Sequence, residues 1–201
     1  MSPWGRELEE KSYSLSVRAF IAAEISEEVR AGLGELLVRL KRTEAGVSWS
    51  RPGSIHLTLR FLGNILEDQI EAADAAMAEA LMGVAPVAVA VGGWGTFPPN
   101  KRPRVLWVGL TQGAPELAAV FERLEAALQA RGFGPADKPF SPHLTLGRVK
   151  SGQGLPRVLK IMESVGTRSF GAFTADRLVL FQSELNPAGA VYTRLRERKM
   201  Q

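Results

Sequence analysis

Histidine occurs only twice in this 201-residue chain, at His56 and His143, and both times it opens the phrase His-Leu-Thr-Leu. Imidazole is the side chain whose ordinary pKa lets it give and take protons near neutrality. A match of three following residues arises by chance on the order of once in a thousand at average residue usage, so the phrase reads as a duplicated device. On a strand, successive side chains point to opposite faces. His56 therefore shares a face with Thr58, and His143 with Thr145, while Leu57, Leu59, Leu144 and Leu146 take the apolar face. Two such strands facing one cleft place two imidazoles and two hydroxyls around one small anionic group. That set suits phosphoester chemistry, in which one imidazole removes a proton from the attacking oxygen, the other protonates the leaving oxygen, and the hydroxyls donate to non-bridging oxygens. It calls for no metal and no nucleotide cofactor. The bland alternative for a lone His-X-Thr is a half-buried histidine with its hydrogen bonds satisfied. Duplication weighs against it.

Other chemistries find no support. With no cysteine there is no thiol nucleophile, disulfide or thiolate metal site. The glycines of "GGWGTF" (92–97) lack both dinucleotide-loop spacing and a following helix, and no P-loop, HExxH or GxSxG phrase occurs. The net charge of +4 is a mild pull toward polyanions. Its clustering is more informative. "NKRPR" (100–104) supplies Lys101, Arg102 and Arg104 as contacts to an RNA backbone or as a solvated loop, while "RLRERK" (194–199) mixes signs as a solvated terminus would. Trp49, Trp94, Trp107 and Phe140 could stack on bases, although such residues in strand patterns usually belong to the core.

The elements that must position these groups follow from periodicity. "SVRAFIAAEI" (16–25) is strand-like, and Ser26 with Glu27 and Glu28 starts a helix running to about Arg42. "VSWSRPGSIHLTLRFLG" (47–63) gives a short strand, a Pro-Gly turn and a second strand. "EDQIEAADAAMAEALM" (67–82) is a helix with Ile70, Ala73, Met77 and Leu81 on one stripe. The second half repeats the order: strands "PVAVAVGGWGTF" and "RVLWVGL" joined by the basic loop, the helix "APELAAVFERLEAALQARG" closed by Gly132, the "HLTLGRV" strand and a short helix over 155–166. "FTADRLVLFQSEL" (173–185) and "AVYTRLRE" (190–197) close as a hairpin around Asn186-Pro187 and Gly189. The fold class is α+β: two pseudo-symmetric lobes, each an antiparallel sheet with flanking helices and one HLTL strand, around a central cleft. We expect one bilobal domain over 1–201, with residues 1–15 as a flexible extension. No apolar run approaches the roughly 18 residues of a membrane span and the first residues lack a signal-peptide core, so a monomeric cytoplasmic protein is expected.

Two arginines can be placed by counting. Arg60 shares the face of His56 by alternation, whereas Arg148 points with the leucines unless Gly147 introduces a bulge.

Taken together, "RAFIAAEI", "HLTLRFLG", "RPRVLWVGL", "FSPHLTLGR" and "LVLFQSELNPAGAVYTRL" resemble the 2H phosphoesterase superfamily with its HXTX motifs. Within it the chain is similar to the bacterial and archaeal RNA 2′,3′-cyclic phosphodiesterase family, historically the 2′-5′ RNA ligases, over nearly everything after about residue 15. The resemblance implies metal-independent opening of an RNA terminal 2′,3′-cyclic phosphate to a 2′-phosphate, without a cofactor. It maps His56 to the proton donor, His143 to the proton acceptor, and Thr58 and Thr145 to the phosphate. It also makes Arg148 a cleft residue and RNA ends, including tRNA fragments, the partners. ATP-independent 2′-5′ joining of tRNA halves is the alternative activity. A non-catalytic RNA-end binder is a third reading, one that leaves two proton-transfer groups without a use.

Overall fold

In this computed structural model, residues 16–99, 102–186 and 189–201 are described. The expected extension over 1–15, Lys101 and the tip of the last hairpin at 187–188 lie outside them. The order is β1 (Val17–Ala23), α1 (Glu27–Lys41), β2 (Val47–Trp49), a 3-10 turn (Pro52–Ser54), β3 (Leu57–Ile65), α2 (Glu67–Leu81), β4 (Val87–Phe97) and β5 (Val105–Gln112), followed by α3 (Ala114–Gln129), β6 (Leu144–Val149), α4 (Leu155–Val165), β7 (Ser169–Ala175), β8 (Arg177–Asn186) and β9 (Gly189–Lys199). Two antiparallel sheets result, ordered β3-β1-β8-β9 and β2-β6-β5-β4-β7. The first holds the strand after His56 and the second the strand after His143.

Helix starts follow their local chemistry. Ser26 accepts a hydrogen bond from the Val29 N–H at 3.3 Å, with Glu27 and Glu28 in the first turn, an arrangement that typically contributes about 1 kcal/mol. The inward stripe of α1 is Val29, Leu33, Leu36, Leu37 and Leu40, and each such leucine is stabilised by about 1.5–3 kcal/mol on burial. In α2, Ala73, Met77 and Leu81 are buried as their spacing predicts. Asp74 is buried beside them because it takes the Arg198 guanidinium in two hydrogen bonds, 2.7 Å and 2.5 Å, tying α2 to β9.

Sequence halves and lobes do not coincide. β2 leaves the first half to pair with β6, and α1 packs on β7. The second half returns β8 and β9 to the first sheet, where α2 packs on β9. The run 173–185, expected as one strand, divides at Asp176 into β7 of the second sheet and β8 of the first. Beyond the break both faces of the strand are apolar and buried: Leu178 and Leu180 enter the main core, while Val179 and Phe181 join a smaller cluster with Phe20 and Ala22 on the other face. The "RLRERK" segment is solvent-exposed as expected but ordered as part of strand β9, where Arg194, Arg196 and Arg198 pair with Glu24, Glu71 and Asp74.

Candidate active site

Each histidine is set by the carbonyl two residues before it. His56 Nδ1 lies 2.9 Å from the Ser54 oxygen and His143 Nδ1 lies 2.6 Å from the Ser141 oxygen. A carbonyl only accepts, so each Nδ1 carries the proton and each Nε2 lies outside that bond. The shared Ser-X-His spacing of "SIH" and "SPH" is thus part of the duplicated phrase.

Aromatic rings hold the imidazoles in place. His56 stacks on Phe20 at 4.5 Å between centroids and meets the edge of Tyr192 at 5.1 Å. His143 meets Phe97 edge-on at 4.9 Å, with the Trp107 indole 6.1 Å away. Trp107 can lie there because its cross-strand partner is Gly95, where a Cβ would come within 2.2 Å of the indole. Part of the glycine-rich "GGWGTF" stretch therefore clears room for a ring. Trp49, Trp94 and Phe140 pack against the core.

Burial governs the proton affinities. Desolvation pushes His56 down from 6.5 to about 4, against the pull of the Ser54 carbonyl. His143 is lowered too, first by burial and also by the charge of Arg148, with the Ser141 carbonyl opposing. Tyr192 is raised by burial, while Arg148 and Arg18 pull it back. Arg148, from the second sheet, is thus near enough to act electrostatically on both His143 and Tyr192, the ring beside His56.

Thr58 pairs with Ala22 and Thr145 with Trp107, so both threonines face the cleft as alternation predicts. Neither hydroxyl is engaged by a protein group among the described residues.

Two bulges decide where the arginines face, overturning the placement of Arg60 and meeting the condition set for Arg148. β3 carries an extra residue, Leu59, between Thr58 (opposite Ala22) and Arg60 (opposite Ile21). That insertion reverses the alternation, so Arg60 does not share the face of His56 but turns to α3, where its Nε donates to Glu125 at 2.8 Å. β6 carries its extra residue at Leu146, between Thr145 (opposite Trp107) and Gly147 (opposite Leu106), and the same reversal brings Arg148 into the cleft. Gly147 is fixed by close packing, since a Cβ there would meet Trp49 and Val47 at 2.8 Å. Five residues after each histidine, then, the chain again faces the cleft: Arg148 on one side and Phe61 on the other. Phe61 lies 6.0 Å from Phe20 with 55% of its surface exposed. Its position was hidden by the bulge, and an exposed large aromatic ring is the signal that reveals it.

Arg102 and Arg104 are exposed on the β4–β5 loop. The Arg104 N–H donates to the Phe97 carbonyl at 2.7 Å and its own carbonyl accepts from Val149 at 2.9 Å, which seats the base of the loop beside the ring that supports His143. Among the described residues no group of three or more His, Asp or Glu side chains could hold a metal ion, and no helix is long and apolar enough to cross a membrane.

Two interlocked antiparallel sheets, each carrying one copy of the same His-X-Thr device, define a duplicated, two-lobed phosphoesterase. The family model described as LigT like Phosphoesterase matches residues 24–107 and again 108–192. The chain belongs to this family. An RNA 2′,3′-cyclic phosphodiesterase of Methanothermobacter thermautotrophicus is 30% identical over 180 residues, covering 89% of this chain and 96% of that protein. One of Thermus thermophilus is 35% identical over 185 residues, covering 88% and 87%. Among solved structures, TT0787 of Thermus thermophilus superposes with a TM-score of 0.76 at 32% identity, over 91% of this chain and 97% of the other. E. coli LigT complexed with 3′-AMP has the same fold, with a TM-score of 0.75 at 21% identity over 92% and 99%.

Proposed function

We propose that this protein opens the 2′,3′-cyclic phosphate at an RNA end, leaving a 2′-phosphate, with His143 as base and His56 as acid and without a metal ion. The observation that carries the reading is the pair of Nδ1-tethered imidazoles, each on the face of a threonine hydroxyl that has no protein partner among the described residues. Relatives that this chain matches over most of its length are RNA 2′,3′-cyclic phosphodiesterases.

Water attacks phosphorus as His143 Nε2 takes its proton, the P–O3′ bond breaks, and His56 Nε2 gives a proton to O3′. Thr58, Thr145 and the Arg148 guanidinium hold the non-bridging oxygens, where charge grows in the transition state. The division of labour suits the two environments. Burial that holds His56 near 4 makes its protonated form a strong acid for an alkoxide leaving group, and His143, lowered in part by the neighbouring Arg148 charge, rests as the neutral base. Both rings are neutral in the free protein near pH 7, so the His56 proton is stabilised when the anionic phosphodiester enters, the opposite charge offsetting the desolvation that keeps it off. Phe61 offers its exposed ring to a base of the RNA. Arg102 and Arg104 give the upstream backbone a cationic rim.

The test is product analysis after incubation with an oligonucleotide ending in a 2′,3′-cyclic phosphate in excess chelator. The reading requires a terminal 2′-phosphate. A 3′-phosphate, or opening only after divalent ions are restored, rejects it, and a joined product with a 5′-hydroxyl strand would assign ligation instead.

A further inference from the structure

The cleft depends on a loop, residues 133–143, that carries His143, and this loop is tied to the opposite lobe by an ion pair. Arg60 lies on β3, four residues after His56, and Glu125 lies on α3; their side chains are 10% and 13% exposed. Each partner also grips the loop backbone. Arg60 Nη2 donates to the Gly134 carbonyl at 2.5 Å, and Glu125 Oε1 accepts the Ala136 N–H at 2.7 Å. One turn earlier on α3, Phe121 stacks on Phe140 of the loop, 4.8 Å apart and 8° from parallel. The next residue is Ser141, whose carbonyl fixes His143 Nδ1.

We infer that the Arg60–Glu125 pair is a positioning element for catalysis: it clamps the 133–143 loop to the strand of His56, and so sets the tautomer and placement of His143 relative to His56. The inference rests on the two-histidine reading above. A surface ion pair would have little such influence. This one differs because both side chains are mostly shielded from solvent, because Arg60 uses its planar fork on a carboxylate and a carbonyl at once, and because both backbone contacts lie in the loop that leads into the base. Lysine could replace the charge but not both contacts.

The chain has two histidines, so 15N-histidine labelling reports each ring separately. In Arg60→Met, the His143 nitrogen signals should move toward the average of the two tautomers while those of His56 stay in place. The kcat for a 2′,3′-cyclic mononucleotide should fall about 10–100-fold, the loss that small misplacement of a catalytic group produces, with KM little changed. Glu125→Gln should act in the same direction, Arg60→Lys should recover part of the loss, and the doubly substituted Arg60→Met/Glu125→Met should fall no further than Arg60→Met alone. If Arg60→Met does not fold, the double variant, in which no charge is left buried alone, carries the test. Unchanged His143 signals with wild-type kcat overturn the inference, as does equal movement of both histidines. If the wild type opens no cyclic phosphate, the functional reading fails, and the His143 signals alone still decide whether the pair positions the ring.

Discussion

Acidification should destabilise this protein by way of His56, and the size of the effect follows from its surroundings. The imidazole sits on Phe20 against Tyr192, and burial lowers its pKa from 6.5 to about 4. Above pH 6.5 the ring is neutral in both the folded and the unfolded chain and its contribution is constant. Between 6.5 and about 4 the unfolded chain binds a proton that the folded protein refuses, so stability falls with falling pH and levels off once both states are protonated. The displacement corresponds to about 3 kcal/mol over the whole window, most of it lost by about pH 4.5. His143 adds a contribution of the same sign. The perturbation that isolates His56 is His56→Phe, which keeps a ring on Phe20 but cannot titrate. Urea unfolding at a series of pH values should show the wild type losing about 2–3 kcal/mol more than the variant between about pH 7.5 and 4.5. Carboxylates titrating in that range are common to both proteins and cancel in the difference. Parallel pH profiles, or a His56 imidazole that titrates near 6.5 by NMR in the free protein, would refute the reasoning.

The cleft itself supplies the other tests. Thr58→Val and Thr145→Val should each lower kcat by about 10²–10³-fold with folding intact, the usual cost of one transition-state donor; full activity in single-turnover assays would make these side chains structural. Phe61→Ala should raise KM for nucleotide substrates while Phe61→Trp keeps it low, and equal KM values would remove Phe61 from base binding. Arg102→Ala with Arg104→Ala should weaken oligonucleotide binding and reduce its salt dependence by about one counterion per lost phosphate contact, while a cyclic mononucleotide reacts nearly as before. Equal losses on both substrates would place the loop in the site proper.

How much of this was legible in the residues depends on where the chain departs from regular alternation. The His/Thr faces were legible because His56 to Thr58 and His143 to Thr145 are two-residue steps that precede any irregularity. Arg60 was not, since one inserted residue, Leu59, reverses the side chains that follow it, and a leucine bears no mark of a bulge; Arg148 could be placed only conditionally, because its face turns on the extra residue at Leu146. The helices matched their stripes and caps, as those signals are local. Sheet membership was harder: β2 and β7 join strands distant in sequence, and the division at Asp176 depends on which sheet covers Leu178 to Phe181, which only the assembled core decides. The role of Ser54 and Ser141 lies in their backbone carbonyls, about which side-chain identity is silent.

The central claim is that two imidazoles divide one proton transfer across the cleft. Its most direct measurement is single-turnover hydrolysis by wild type, His56→Ala and His143→Ala on two substrates, an RNA 2′,3′-cyclic phosphate and a phosphodiester with a nitrophenolate leaving group. Both variants should open the cyclic phosphate at least about 10²-fold more slowly than wild type. The nitrophenolate needs no proton to depart, so it should restore His56→Ala and leave His143→Ala slow. Equal restoration of both variants, or near-wild-type opening of the cyclic phosphate by either, would contradict the account.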